Sequence, residues 1–166
     1  MSANQHHISR IPQTAPQGPA SAQPPVPAAE FIHTRLVDQA RRAAAALTRL
    51  GVHGGERVAA LLPMTPESVV TTMACGRLGA RRFTLPIGDP AYLLRDRIQE
   101  SGAGVVITAD GCFYGDRYYP AKRILDRALA DCPAVRSVLV VHRMARPVPW
   151  TPGRDHWWHE ALTLDA

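Results

Sequence analysis

Strand-like and helix-like segments alternate along the middle of this 166-residue chain, from about residue 57 to residue 142. The run RVAALL at residues 57–62 is almost continuously apolar, which is typical of a strand that is buried on both faces of a parallel sheet. The connections between successive segments are short, and this favours βαβ units over other arrangements. The alternation therefore predicts an α/β fold.

Glycine, proline and the spacing of apolar residues mark the predicted elements. Gly51 and Gly79 each follow a helical apolar pattern, and we expect them to end the first two helices. Thr65 offers a capping hydroxyl and Pro66 suits the first position of the second helix. The apolar face predicted for that helix consists of Val69, Val70, Met73, Ala74 and Leu78.

The remaining elements complete a partial Rossmann-like parallel sheet of about four strands, flanked by helices. Further strands are predicted at residues 82–85, 105–108 and 135–141. A third helix is predicted from Pro90 to Gly102, and a fourth after Pro120. Residues 109–119 show no regular periodicity, so we predict an irregular loop there.

Residues 1–29 differ in composition from the rest of the chain. They hold six of its 15 prolines, with glutamine, alanine and serine between them and few large apolar side chains. Burial of such a segment cannot offset the entropy lost on ordering it. We therefore predict a disordered Pro/Gln/Ala-rich tail over residues 1–29 and one folded domain over residues 30–166.

The charge pattern argues against nucleic-acid binding, and the hydropathy pattern against a membrane protein. The net charge is +5, but the arginines are scattered among acidic residues and form no basic stripe interleaved with aromatics. No apolar run approaches the ~18 residues that span a bilayer, and no secretory signal pattern is present. We expect a cytoplasmic protein with no nucleic-acid or membrane partner.

The three cysteines, Cys75, Cys112 and Cys132, are widely spaced and never form a C-x-x-C pair. This pattern argues against a disulfide framework and against a four-cysteine zinc site. We interpret them as reduced structural thiols.

His156 and His159 could bind one metal ion if they shared a helix. No further ligand is apparent from the spacing, and the neighbouring Trp157 and Trp158 favour packing. We therefore predict no metal site.

Ligands of parallel α/β sheets bind beyond the carboxyl ends of the strands, where loop 109–119 is expected. This loop combines two glycines and three tyrosines with Arg117, which could pair with a phosphate. Lys122 and Arg123 follow in the first turn of the fourth helix, where the helix dipole favours an anion. Two interpretations stay open: an anion site, or a surface loop whose aromatic residues pack on a neighbour.

RVAALLPMTPE at residues 57–67 and ACGRLGA at 74–80 are two distinctive segments of this chain. They resemble the segments RVAIYLPMIPE and ACARIGA of acetyl-CoA synthetases, a family of the acyl-adenylate-forming, AMP-binding superfamily. DRI at 96–98 followed by VVITAD at 105–110 is also similar, as is the W-x-x-G-R-D-x-W-W element at 150–158. The resemblance covers about residues 31–160, so residues 30–166 are expected to correspond to part of that family's N-terminal domain.

The resemblance implies an enzyme that activates acetate with ATP and Mg²⁺ and transfers the acyl group to CoA. In that family a Thr/Ser/Gly-rich loop ending in lysine holds the ATP phosphates, and a C-terminal domain supplies a catalytic lysine. Neither is recognisable here, so we expect this chain alone to be inactive, with no catalytic residue and no cofactor of its own. The alternatives are one part of a split synthetase, and a regulatory or decoy subunit that binds a full-length synthetase.

The resemblance also implies where CoA would approach. Family members carry two arginines near the CoA phosphate, and the matching positions here are Tyr114 and Arg117. The family's GGFS segment reads Ile87-Gly88-Asp89-Pro90, so only Gly88 is retained. Gly88 and Arg117 are thus the expected remnant CoA contacts, and the affinity should be weak because one charge-assisted contact is lost.

We finally expect the chain to self-associate or to need a complementary synthetase polypeptide. In the larger family enzymes the sheet continues, so an open edge and an apolar face are expected in this chain. The residues predicted to be exposed there are Val138, Leu139, Val140, Val141, Trp157 and Trp158.

Overall fold

The computed structural model describes residues 28–163. Helices and strands alternate through this part of the chain, as the sequence predicts. The elements in chain order are α1 (Ala28–Arg49), β1 (Arg57–Leu61), α2 (Pro66–Leu78), β2 (Arg81–Thr84), α3 (Ala91–Ser101), β3 (Val105–Ala109), β4 (Cys112–Tyr114), β5 (Arg117–Tyr119), α4 (Ala121–Leu129), β6 (Ser137–Val141), β7 (Asp155–Trp157) and α5 (Trp158–Ala161).

The central sheet is parallel and has the strand order β2-β1-β3-β6-β7. This confirms the predicted α/β fold, but the sheet has five strands where about four were predicted. The additional strand is β7, in which Asp155 pairs with Val138 and Trp157 with Val140. Three residues with mixed polarity give no strand periodicity, so β7 forms because β6 offers it an edge.

Helices cover both faces of the sheet, which explains the continuous apolar runs. Along β6, Val138 and Val140 pack in a cluster with residues of α3 and α4, whereas Leu139 and Val141 pack in a second cluster with residues of α1 and α2. Successive side chains of a strand point to opposite faces, so a sheet covered on both faces needs apolar residues at every position.

The two ends of helix α2 agree with the sequence prediction, but its capping bond and part of its buried face do not. Pro66 begins it, and Gly79 ends it in the left-handed conformation at φ 64°. The Thr65 side chain makes no capping bond, and its buried hydroxyl has no hydrogen-bond partner among residues 28–163, so the predicted cap is wrong. Val69 was predicted to be buried but is 43% exposed, because α2 turns Val70 and Thr71 towards the sheet and α1.

Helix α1 begins at Ala28, inside the segment predicted to be disordered. The rest of that prediction, for residues 1–27, lies outside the described residues. Helix α1 is followed by Gly51 at φ 81°, close to the predicted end. None of the helices within residues 28–163 is long and apolar enough to cross a membrane.

The predicted exposed seam is wrong. Val138, Leu139 and Val140 are fully buried, because β7 covers the edge of β6 and helices cover both faces. Trp158 is 7% exposed and packs in the cluster with α1 and α2. The edges of the described sheet are instead β2 and β7.

Candidate functional site

The segment predicted to be an irregular loop is a β-hairpin at the carboxyl end of β3. Strands β4 and β5 pair antiparallel, with Cys112 opposite Tyr119 and Tyr114 opposite Arg117. Cys112 and Tyr119 are buried and fix the base of the hairpin to the α3–α4 side of the core. Gly115 turns the chain at φ 58°, a conformation that glycine adopts without steric cost.

Tyr119 joins the hairpin to the loop between β2 and α3. Its hydroxyl donates a hydrogen bond to the backbone oxygen of Asp89 at 2.7 Å. Burial, with smaller contributions from Asp89 and Cys112, raises the pKa of Tyr119 to about 12. The phenol therefore stays protonated and remains a hydrogen-bond donor at physiological pH.

Tyr114 lies beside both residues that were predicted to contact CoA: its ring is next to Gly88, and it pairs with Arg117 in the hairpin. Gly88 has φ 101°, and a Cβ atom added there would lie 3.1 Å from Cε1 of Tyr114. Tyr114 is directly opposite Arg117, so both side chains lie on the same face of the hairpin. Arg117 is exposed, so its guanidinium is accessible to an anion in solvent.

Asp110 organises the backbone beside the hairpin. Its carboxylate is 1% exposed and accepts hydrogen bonds from the backbone N–H groups of Gly111 (2.8 Å), Arg143 (3.0 Å), Met144 (3.0 Å) and Arg146 (3.4 Å). Backbone donors thus stabilise this buried carboxylate, and they hold the loop after β6 against the end of β3. The loop after β6 is consequently fixed next to the hairpin.

Lys122 does not contribute to an anion site, so the first of the two interpretations left open for this region does not hold for Lys122. It is fully buried, and its Nζ lies 2.7 Å and 2.8 Å from the carboxylate oxygens of Asp126 and 2.8 Å from Oδ2 of Asp155. Nζ also donates to the backbone oxygen of Pro149 at 3.0 Å. All of its donor capacity is therefore directed into the protein.

Arg154 completes an ionic cluster of Lys122, Asp126, Arg154 and Asp155. Its Nη2 lies 2.6 Å from Asp126 Oδ1, and its Nε lies 2.6 Å from Asp155 Oδ1. Burial acts to raise the pKa of Asp155, but hydrogen bonds from Arg154, Lys122 and the backbone of Thr151, together with the charge of Lys122, hold this pKa below its ordinary value. The G-R-D part of the tryptophan-rich element thus fastens β7 to α4.

The two histidines considered as metal ligands are not on a common helix. His156 lies in β7, and His159 lies in α5, which begins at Trp158. Trp157 stacks on Trp150 with 4.7 Å between ring centroids and also contacts His142 edge to face at 5.3 Å. Within residues 28–163, no three His, Cys, Asp or Glu side chains are grouped so that they could hold a metal ion.

The sequence analysis missed the role of Asp110 and the inward pairing of Lys122. Asp110 binds backbone groups up to 36 positions away, and Lys122 binds Pro149 and Asp155, which are 27 and 33 positions away, besides its near neighbour Asp126. The aspartate that ends the VVITAD run was the available signal, since a carboxylate directly after a buried strand often organises a loop.

Comparisons with known proteins agree with the family resemblance that the sequence motifs indicated. The family model described as "AMP-binding enzyme" matches residues 19–165. An acetyl-coenzyme A synthetase of Mycolicibacterium smegmatis is 42% identical over 81% of this chain and 14% of its own length. Acetyl-coenzyme A synthetase 1 of Candida albicans is 44% identical over 76% of this chain and 19% of its own length.

A third relative, acetyl-coenzyme A synthetase 2 of Pseudomonas putida, is 45% identical over 81% of this chain and 21% of its own length. The chain therefore spans about a fifth or less of the length of the curated relatives it matches. The hairpin, the ionic cluster and the tryptophan-rich element all lie within the residues that the family model matches.

Proposed function

Because the chain belongs to the AMP-binding enzyme family, we propose that it is an acetyl-CoA-synthetase-like module that does not form an acyl-adenylate by itself. The complete reaction of such an enzyme converts acetate, ATP and CoA to acetyl-CoA, AMP and diphosphate. It requires Mg²⁺ and positioned cations around the ATP phosphates. The proposal is that this chain contributes α/β scaffold and one side of a CoA site.

The main support for this proposal is that the single lysine of the chain is buried and paired with carboxylates. Lys122 is the only lysine in the sequence, and it is fully buried against Asp126 and Asp155. A lysine that holds ATP phosphates or an adenylate must present its ammonium group to the ligand. Moving Lys122 outward would leave Asp126 and Asp155 with Arg154 as their one cationic partner among the described residues, so this residue is unsuited to that role.

ATP–pyrophosphate exchange with acetate, propionate and longer acids tests the proposal on the purified chain. We expect exchange no greater than in a blank reaction. Exchange clearly above the blank would contradict the proposal if it is lost on a substitution within this chain that leaves the thermal unfolding transition unchanged. Such a result would show that residues of this chain, and no contaminating synthetase, support adenylation.

We further propose that Gly88 and Arg117 are remnant contacts for a CoA phosphate. The support is geometric: the exposed Arg117 is opposite Tyr114, and the Tyr114 ring lies over Gly88. Where the family has a second arginine, Tyr114 offers only a neutral hydroxyl. Charge-assisted hydrogen bonds are roughly twice as strong as neutral ones, so CoA should bind weakly.

A second candidate function is one part of a split acyl-CoA synthetase. It is favoured by the open parallel edge at β2, whose residues other than Arg82 are exposed, and to which a complementary polypeptide could add a strand. Mixing the chain with a polypeptide that carries the remaining family segments should then restore exchange activity. Binding to a full-length synthetase with no gain in activity would instead support a regulatory or decoy subunit.

We also propose a cytoplasmic location. The three cysteines are free and buried, and burial raises the pKa of the Cys75 thiol to about 11. Unpaired thiols are common in reducing compartments, which supports this placement. Fractionation of the host cells would test it, and recovery of the chain with secreted proteins would contradict it.

A further inference from the structure

A cleft lies on the face of the hairpin opposite Arg117, outside the proposed CoA contacts. This hairpin cleft has a volume of about 610 Å³ and lies between Tyr118 of β5, the start of α4 at Pro120 and Arg123, and Arg146 with residues 147–149. We propose that the hairpin cleft binds a phosphate monoester that carries a small apolar or aromatic group.

Two arginines give the hairpin cleft its charge. Arg123 and Arg146 both line it, and neither is paired with a carboxylate among residues 28–163. Asp110 also lines the cleft, but its carboxylate is directed to backbone N–H groups of residues 111, 143, 144 and 146. Guanidinium groups match the geometry of phosphate oxygens, so the pair is suited to a phosphate.

Arg146 is held in place from two sides. Its guanidinium carbon lies 4.5 Å from the centroid of the Tyr118 ring, and its backbone N–H donates to Asp110 at 3.4 Å. A cation over an aromatic face is attracted by the ring quadrupole. The position of this guanidinium is therefore defined before any ligand arrives, and less entropy is lost on binding.

The start of α4 adds to the positive potential. Pro120 is the N-cap residue and has no side-chain capping bond, and the first hydrogen bond of the helix runs from Ile124 N–H to Pro120 oxygen at 3.0 Å. The N–H groups of residues 121–123 precede that bond, at the positive end of the helix dipole. Together with the two arginines, this helix end favours an anion in the cleft.

The remaining walls of the cleft are apolar, so they favour a ligand that carries an apolar or aromatic group in addition to its phosphate. Pro120, Val148 and two further prolines contribute no side-chain hydrogen-bonding group. The volume lies within the range of roughly 300–1,000 Å³ found for small-molecule sites. Free phosphate would leave these walls uncovered, whereas an ester with a ring or short carbon chain would cover them.

The hairpin separates this site from the CoA contacts proposed above. Tyr118 pairs with Phe113, whereas Arg117 pairs with Tyr114, and alternate residues of a strand point to opposite faces. Substitution of Arg117 should consequently leave the hairpin cleft unaffected. The two proposals can thus fail independently of each other.

Isothermal titration of the full chain with phenyl phosphate tests the inference, with inorganic phosphate and phenol as separate ligands. We expect phenyl phosphate to bind with a dissociation constant below about 1 mM. Arg123→Gln and Arg146→Gln should each weaken binding about tenfold or more, because each removes a charge-assisted contact. Arg127→Gln is the matched control, since Arg127 is exposed on the same helix but does not line the cleft.

Three results would overturn the inference. They are no binding of phenyl phosphate, an equal loss of affinity in the Arg127→Gln control, and inorganic phosphate binding as tightly as phenyl phosphate. Unchanged affinity in Arg117→Gln supports it, because the two faces of the hairpin then act separately. Thermal unfolding of each variant shows whether a lost affinity reflects the site and not the fold.

Discussion

Lys122 Nζ lies 2.8 Å from Asp155 Oδ2, and both side chains are fully buried. This contact joins the first turn of α4 to the edge strand β7. Asp126 and Arg154 extend it, so that two cations and two carboxylates neutralise one another at the junction. A buried charge that loses its partner is strongly destabilising, and the first two predictions follow from that property.

Lys122→Met should lower the free energy of unfolding by about 3–5 kcal/mol, the usual cost of breaking a buried ion pair. Asp155 would remain buried with only Arg154 as a cationic partner. Urea unfolding measures the change. Arg127→Met is the control, because it removes an exposed charge from the same helix and should have little effect. Equal stability of the two variants would show that the pair contributes nothing.

Stability should fall in acid because of Asp155. Its folded-state pKa is held below the ordinary value of 3.8, so the unfolded state takes up the proton first as the pH falls. The stabilisation is therefore present above about pH 4 and is lost as the pH falls through the folded pKa. Asp155→Asn should flatten the dependence of the unfolding free energy on pH between about 2 and 5. The same pH dependence in both proteins would contradict this assignment.

Tyr114→Arg should strengthen CoA binding about tenfold, since it adds a second cation next to Arg117. The effect should shrink for a CoA analogue that lacks the terminal phosphate monoester, and it should weaken with added salt. Phe31→Arg is the control, because Phe31 is an exposed aromatic residue on α1, which packs on the face of the sheet opposite the hairpin. An equal gain from both substitutions would indicate a general charge effect and no specific site.

Gly88→Ala should destabilise the fold by about 1–3 kcal/mol, because φ 101° is strained for any residue with a side chain. The added Cβ would also lie 3.1 Å from the Tyr114 ring. Thermal unfolding measures the change. Gly76→Ala, within α2 and with nothing within 4 Å of the added Cβ, should instead be neutral or slightly stabilising. Similar results for both variants would contradict the proposed strain.

The chain should self-associate through β2, and Phe83→Lys should reduce that association. Strand β2 is an edge of the described sheet, and Phe83 is 37% exposed on it. A charge on an exposed edge strand disfavours pairing with another chain. Light scattering coupled to size exclusion measures the mass, with Tyr92→Lys on α3 as the control. A monomer at every concentration of the unsubstituted chain would refute the prediction.

Local signals in the sequence were sufficient for most of the fold. The apolar run at residues 58–62 predicts β1 because side chains on both faces of a central parallel strand are buried. Pro66 and Gly79 predict both ends of α2 because each restricts the backbone at its own position. The sequence also places the candidate site, which stays a prediction, beyond the carboxyl ends of the strands, where ligands of parallel sheets bind.

Only the tertiary structure decided β7, the hairpin and the partners of Lys122. The sequence places Lys122 in the first turn of α4 but cannot tell whether its ammonium points to solvent or inward. Asp155, 33 residues later, determines that direction by arriving on β7 at the edge of β6. The spacing of apolar residues indicates which face of a residue's own helix or strand is buried. An ion pair between distant segments depends instead on where those segments pack, which local sequence preferences do not determine.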